Sequence, residues 1–425
     1  MSRFIKIKKT YQFIVFQKLV LVSVLIGFLS SFLAISLKKI TEYYESIFLL
    51  RAFHFHFYYF LFPLIGLTII YFLRKYLFKN KENKGIKEIF DCTKISSKNL
   101  PAYKIPSHFI NGFFTVIFGG STGIEVSTVV ASATIGSLAQ QKTNFLRKYK
   151  TQLMCAGIAA GITALFASPI AGVLFSIEVI SRKINKALLL TNIIAVCVAS
   201  MLVYVLDEPT LFTVKISMWN TYAIPYFIIL GVLAGINSVF LTKSVLFFKS
   251  QFLKINKIYN KIFIATFIIG SSILVLPILY GDGYHGVKEI FLHSNDNFTF
   301  KFFLSILGVL IFKPIVTSVT LSSGGDGGVF APSLVIGAFL GFFVATFLNT
   351  FFNANVLPIN FIIIGMAALL SASIHAPFTA LFLVCSLVND YTLFVPILMV
   401  CLISKYTAKY MYPYTVYSYT LNIAK

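Results

Sequence analysis

Two stretches, "FGGSTGIEVSTVVASATIGSL" at 118–138 and "LSSGGDGGVFAPSLVIGAFLG" at 321–341, share one pattern: a cluster of turn formers, then a helix of small and apolar residues. A second pair, "ALFASPIAGVLFSIEV" at 164–179 and "ASIHAPFTALFLVCSL" at 372–387, follows at a similar offset. The chain therefore reads as two related halves, about 12–210 and 211–425. Helix packing through small residues accounts for Gly136, Gly337 and Gly341. It does not account for the clusters at 119–123 and 324–328, which interrupt any continuous helix. Between Lys104 and Lys142 the only residue with a full charge at neutral pH is Glu125, and it sits directly after the first of these clusters.

The surroundings of both clusters are apolar on a scale that fixes the class. Of 425 residues, 58% are hydrophobic, 12% are charged and 46 are Phe, which is more apolar surface than a soluble domain can bury. Apolar runs recur at 12–37, 55–73, 107–141, 153–180, 187–206, 223–242, 262–280, 302–319, 329–352, 357–388 and 392–404. Several reach the roughly 20 residues that a helix needs to cross the hydrocarbon. Strand alternation is absent, so the expectation is an all-α polytopic membrane protein rather than a barrel.

The formal net charge of +22 raises the question of nucleic acid, but the basic residues lie in short clusters between apolar runs. These are Arg3 to Lys9, Arg74 to Lys87, Lys142 to Lys150, Arg182 to Lys186, Lys243 to Lys261 and Lys405 to Lys409. They read as cytoplasmic loops under the positive-inside rule, with no nucleic-acid partner. The basic N-terminus places that end in the cytoplasm, and the first run is too long and lacks the cleavage site of a removable signal peptide. Cys92, Cys155, Cys197, Cys385 and Cys401 show no paired spacing and read as small hydrophobes. His54 and His56 belong to an interfacial aromatic belt, and neither a metal site nor a cofactor is expected. Glu125, Glu178 and Asp326 lie on separate segments without a hydrolytic motif, so an enzyme is not expected.

Internal duplication with each repeat broken by Gly or Pro points to a site built from discontinuous helices. A broken helix exposes N-terminal amides and the positive end of its dipole, which hold an anion without burying a full cation. A carboxylate at the start of such a helix can occupy the same amides and leave them on protonation. Glu125 is so placed.

Here the sequence resembles the CLC family of chloride channels and chloride/proton exchangers. "GGDGGVFAPSLVIGAFLG" is similar to its GxFxP signature, and "ALFASPIAGVLFSIE" and "ASIHAPFTALFLV" to its flanking helix segments, with the likeness running from about residue 15 to the C-terminus. The resemblance implies two inverted repeats of tilted and broken helices, chloride or a similar small anion as the transported ion, and a homodimer in the bacterial inner membrane with both termini cytoplasmic. It implies that Val329 and Phe330 hold the central anion through their amides, that Glu125 is the gating glutamate of a segment matching Gly123 to Ser127, with Ile124 and Val126 contributing amides, and that Tyr417 lines the pore. Nothing after Tyr417 is long enough for a regulatory nucleotide-binding tail, so the membrane domain alone is expected.

The sequence departs from the family's pattern in three places. "NKGIKEI" at 83–89 puts Lys84 where the family uses a serine hydroxyl, so Lys84 either raises anion concentration at the inner mouth or extends into the cytoplasm. Ile124 and Ser127 stand where the family has Arg and Pro, which keeps the amides and removes the charge. The position of the exchangers' inner proton-relay glutamate is Val179, next to Glu178. Glu178 is either a structural carboxylate or a substitute relay. The missing relay favours a passive, Glu125-gated chloride channel of the voltage-gated type, with a proton-coupled antiporter as the alternative.

Overall fold

The computed structural model describes residues 2–419 apart from 82, 95–97, 142–143, 215, 217 and 295–299, with the side chains of 2–12, 144–145 and 300–301 likewise outside the description. Residue 1 and residues 420–425, on which the expectation of two cytoplasmic termini falls, lie outside it, as do Lys142 and the side chains of the cluster Arg3 to Lys9.

In lipid each peptide group needs a hydrogen bond inside the protein, and the described residues meet this with helices. The first half contains α1 (Ser2–His54), α2 (Tyr58–Phe72), α3 (Ile86–Lys94), α4 (Lys104–Ile117), α5 (Glu125–Gln141), α6 (Lys150–Phe166), α7 (Pro169–Phe175) and α8 (Lys186–Val205). The second contains α9 (Ile224–Leu253), α10 (Ile258–Val275), α11 (Tyr284–Leu292), α12 (Phe300–Ser323), α13 (Phe330–Phe352), α14 (Pro358–Ile374), α15 (Pro377–Leu387) and α16 (Phe394–Met411). Each helix of the first half has its counterpart in order: α3 and α11 are both 9 residues long, α6 and α14 both 17. Packing repeats too, α5 lying on α6 as α13 lies on α14, and α6 on α8 as α14 on α16.

The breaks are also paired. α6 ends at Ala167 with φ 49° and Pro169 starts α7; α14 ends at His375 with φ 57° and Pro377 starts α15. A left-handed residue with a Cβ costs about 1 kcal/mol, and proline begins a helix well but cannot continue one. The apolar runs 153–180 and 357–388 are thus two helices each. Among the described residues eight helices are long and apolar enough to cross a membrane, while α14, α15 and the segment Pro169–Ser181 are shorter.

α1 differs from the expected run at 12–37 by continuing to His54. The charges that seemed to end it are accommodated: Lys38 and Lys39 reach Glu208 in the loop after α8, at 3.5 and 2.7 Å, and the Glu208 side chain is buried. A helix of 53 residues is about 80 Å long, well beyond a hydrocarbon core of about 30 Å, and Leu49 and Ala52 near its C-terminal end are still buried. At the centre, α13 is buried along most of its length. A methyl on Gly337 would meet the Gly365 carbonyl at 2.3 Å, and one on Gly157 the Ser132 carbonyl at 2.3 Å, so backbones touch where α13 crosses α14 and where α5 crosses α6.

Candidate anion site and gate

α5 and α13 begin at loops that hydrogen-bond to each other. Gly123 N donates to Gly328 O and Gly328 N to Gly123 O, each at 3.2 Å, in antiparallel register, as repeats of opposite orientation require. Thr122 Oγ1 donates to Asp326 O at 3.1 Å, and Ser121 N to Thr320 Oγ1 at 3.2 Å, so each repeat fixes the other's loop. Two helix N-termini are brought together by turn formers that could not have continued as helix. With their positive dipole ends adjacent, they suit a single negative charge.

Glu125 supplies one. Its side chain is 3% exposed and curls back over its own turn: a methyl on Gly123 would lie 1.7 Å from Glu125 Oε2 and 2.8 Å from the Ala331 Cβ. Only glycine fits at 123. The backbone N–H groups of Glu125 and Ala331 face the carboxylate, and Oε1 accepts a hydrogen bond from the Tyr284 hydroxyl at 2.9 Å. The sequence offered no local partner for this carboxylate; the structure brings one from 159 residues away.

Tyr284 opens α11 and is held by a charged turn. Gly281 and Gly283 are left-handed at φ 57° and 89°, and Asp282 Oδ1 accepts from Tyr284 N at 2.8 Å. Glu45 Oε1 from α1 accepts from Asp282 N at 3.1 Å, while the buried Lys313 ammonium on α12 donates to Leu279 O and Gly281 O at 3.3 and 3.1 Å. Sequence reasoning passed over all four of these side chains. The signals were present: a lysine inside the run 302–319, and the turn-forming "GDGY" at 281–284.

The expected anion-binding residues gather around the same point. Val329 and Phe330 are fully buried, and Phe330 stacks on Phe166 with ring centroids 5.6 Å apart, fixing the start of α13 against α6. A methyl on Gly328 would approach Val126 Cγ2 to 2.1 Å and Tyr417 Oη to 3.1 Å. The buried Tyr417 hydroxyl faces Val329 and makes no hydrogen bond of good geometry among the described residues. Ile124 is buried in the turn before Glu125. A cavity of about 640 Å³ lined by Lys87, Lys94, Arg182 and Lys183, with Asp91, reaches Tyr417. Its positive balance concentrates anions on that side.

Two expected residues sit elsewhere. Lys84 precedes α3 with its side chain exposed and its backbone N–H donating to Glu88 Oε1 at 2.5 Å, beside Gly85, where a methyl would lie 3.4 Å from Val126 Cγ1. The loop reaches the site and the ammonium faces outward, which favours the reading in which it extends into solvent. Glu178 lies in a π-type turn after α7 and caps α15: Oε2 accepts from Thr379 N at 2.7 Å and Thr379 Oγ1 at 2.6 Å, and Oε1 from Phe378 N at 3.4 Å. This geometry favours the structural reading. Glu178→Gln is expected to cost about 1 kcal/mol or more of stability, because an anionic cap becomes neutral, and to leave proton movement as in wild type. Thermal unfolding with proton-flux assays in liposomes checks both; lost proton movement at unchanged stability would restore Glu178 as a relay.

Comparison with known proteins agrees with this architecture. The family profile described as voltage gated chloride channel matches residues 65–409. The H(+)/Cl(-) exchange transporter ClcA of Vibrio vulnificus (strain YJ016) is 27% identical over 315 residues, covering 70% of this chain and 65% of that protein. The voltage-gated ClC-type chloride channel ClcB of Escherichia coli O17:K52:H18 is 27% identical over 308 residues, covering 71% of this chain and 72% of that protein. Among solved structures, a slow cyanobacterial Cl-/H+ antiporter superposes with a TM-score of 0.80 at 21% identity, over 94% of this chain and 96% of that one. A CLC-type fluoride/proton antiporter gives 0.79 at 22% identity, over 95% and 97%. The chain spans about two thirds of the length of the Vibrio relative. The family profile covers well over half of this chain, so the chain belongs to the voltage gated chloride channel family.

Proposed function

We propose that this member of the voltage gated chloride channel family exchanges chloride for protons across a bacterial cell membrane, working as a homodimer with one pore in each subunit. The observation that carries the reading is the Glu125 carboxylate lying over Gly123 between the starts of α5 and α13, where it competes with an anion for the same amides. In the charged form it closes the site. Once protonated it loses its attraction to the dipoles and yields to chloride, so each anion passage is linked to the protonation of one group.

Exchange is preferred to the passive channel suggested by Val179 because the Vibrio relative is named an exchanger, and because both compared structures are of antiporters. Passive conduction is the competing reading, favoured by Val179 itself and by the name of the Escherichia coli relative. The basic cavity leading to Tyr417 supports chloride or another small anion as substrate. The reversal potential in planar bilayers tests the reading: it shifts with a proton gradient for an exchanger and ignores that gradient for a channel.

A further inference from the structure

Glu125 needs a proton supply, and the position where exchangers carry their inner relay is Val179. α4 offers another route. Lys104, Ser107, His108, Asn111 and Thr115 recur at spacings of three and four, so they share one face of the helix over a rise of about 16 Å. All five are at most 3% exposed. That is roughly half the thickness of a hydrocarbon core, lined with polar groups inside a membrane protein.

The lower end adjoins the basic cluster Arg74 to Lys87. Lys104 Nζ contacts Glu88 Oε1 at 2.8 Å and Asn83 Oδ1 at 3.1 Å. Asn83 Nδ2 donates to Ser107 Oγ at 3.1 Å and to Asp326 Oδ2, and His108 Nδ1 lies 3.2 Å from Asp326 Oδ1. Asn111 Nδ2 donates to Ser107 Oγ at 3.3 Å. At the upper end Thr115 Oγ1 accepts from Asp326 N at 2.9 Å, and Thr122 Oγ1 donates to Asp326 O. The residue after Thr122 is Gly123, over which the Glu125 carboxylate lies.

Three buried atoms on or beside this face, His108 Nε2, Asn111 Oδ1 and Ser127 Oγ, have no hydrogen-bond partner among the described residues. Gly112 lets α5 approach, since a methyl there would lie 2.6 Å from Ser127 Oγ. An unsatisfied buried polar atom costs about 1–3 kcal/mol, whereas several converging on one space can hold a water that satisfies them.

We propose that this α4 face, with Asp326 and Ser127, is the route by which protons reach Glu125 from the side of the protein that carries Arg74 to Lys87. The proposal rests on the reading that Glu125 takes up protons. The proton passes from the Glu88 end to the Asp326–His108 pair, then through water held by Asn111 and Ser127 to the Glu125 carboxylate, which leaves the amides neutral. The charged or titratable groups facing the route are Arg74 in the π-type turn after α2, Glu88 on α3, Lys104 and His108 on α4, Glu125 on α5 with Tyr284 and Asp282 facing it, and Asp326 between α12 and α13.

The test is chloride current across planar bilayers containing the protein in one orientation, with the pH of each face varied separately. Wild type is expected to respond to pH on the basic face. Asn111→Leu and Ser127→Ala are expected to lose that response, and with it the proton-coupled part of the current, while keeping their response to the opposite face. Should Asn111→Leu fail to fold, Ser127→Ala decides, because it removes only a hydroxyl. Wild-type responses retained in both variants, or a wild type indifferent to pH on the basic face, would overturn the route. Exchange and route fail separately: a wild type that responds to that face without moving protons uphill contradicts exchange and, if the variants lose the response, still supports the route.

Discussion

Glu125→Gln is expected to raise chloride flux on the order of tenfold near neutral pH and to abolish its dependence on pH. Gln is the neutral mimic of the protonated side chain. It keeps the shape that lies over Gly123 and loses the negative charge that the amides of α5 and α13 attract. Wild-type flux should rise as pH falls, because acid converts Glu125 to the form that the variant carries permanently, and the two proteins should converge in acid. Proton movement should vanish in the variant, since an amide does not carry the proton. Chloride efflux from liposomes over a series of pH values reads all three. A variant with wild-type pH dependence would remove Glu125 from the gate.

Tyr284→Phe is expected to act in the same direction with a smaller effect. The phenol's hydrogen bond favours the charged, closed side chain, and it is one of several contacts that hold it, so its loss costs less than loss of the charge itself. Without it the closed form is less populated and flux rises, while coupling survives because Glu125 still titrates. The decisive control is the double variant. Introduced into Glu125→Gln, Tyr284→Phe should change flux little, because its effect travels through the carboxylate. Equal effects in both backgrounds would make Tyr284 a packing residue of the turn 280–284 and no more.

The amino-acid sequence discloses a large part of this site for physical reasons. A helix break in lipid needs turn formers, so GGSTG and GGDGG were visible as interruptions and their pairing as a repeat. A lone charge in an apolar span needs a use, so Glu125 stood out. Contacts between distant segments carry no such mark. The Tyr284 hydroxyl reaches Glu125 only because Gly281 and Gly283 turn the chain, with Glu45 and Lys313 holding the turn from α1 and α12. Lys84 matched a motif position by spacing, but spacing cannot tell that its ammonium faces solvent while its backbone N–H donates to Glu88 of α3. Likewise Glu178 was legible as a carboxylate next to a relay position, whereas its three donors come from residues two hundred positions away. The polar face of α4 was in plain view at spacings of three and four; apolar Phe and Ile between its members hid it inside the run 107–141.

The proposed exchange couples chloride and proton movement through Glu125. It is tested most directly by imposing a chloride gradient on liposomes containing the wild-type protein, with the membrane potential clamped, and recording proton movement against its own gradient. Exchange requires sustained uphill proton transport that disappears in Glu125→Gln while chloride flux continues. Rapid dissipation of the chloride gradient with no uphill proton movement in wild type would contradict the account and identify the protein as a channel.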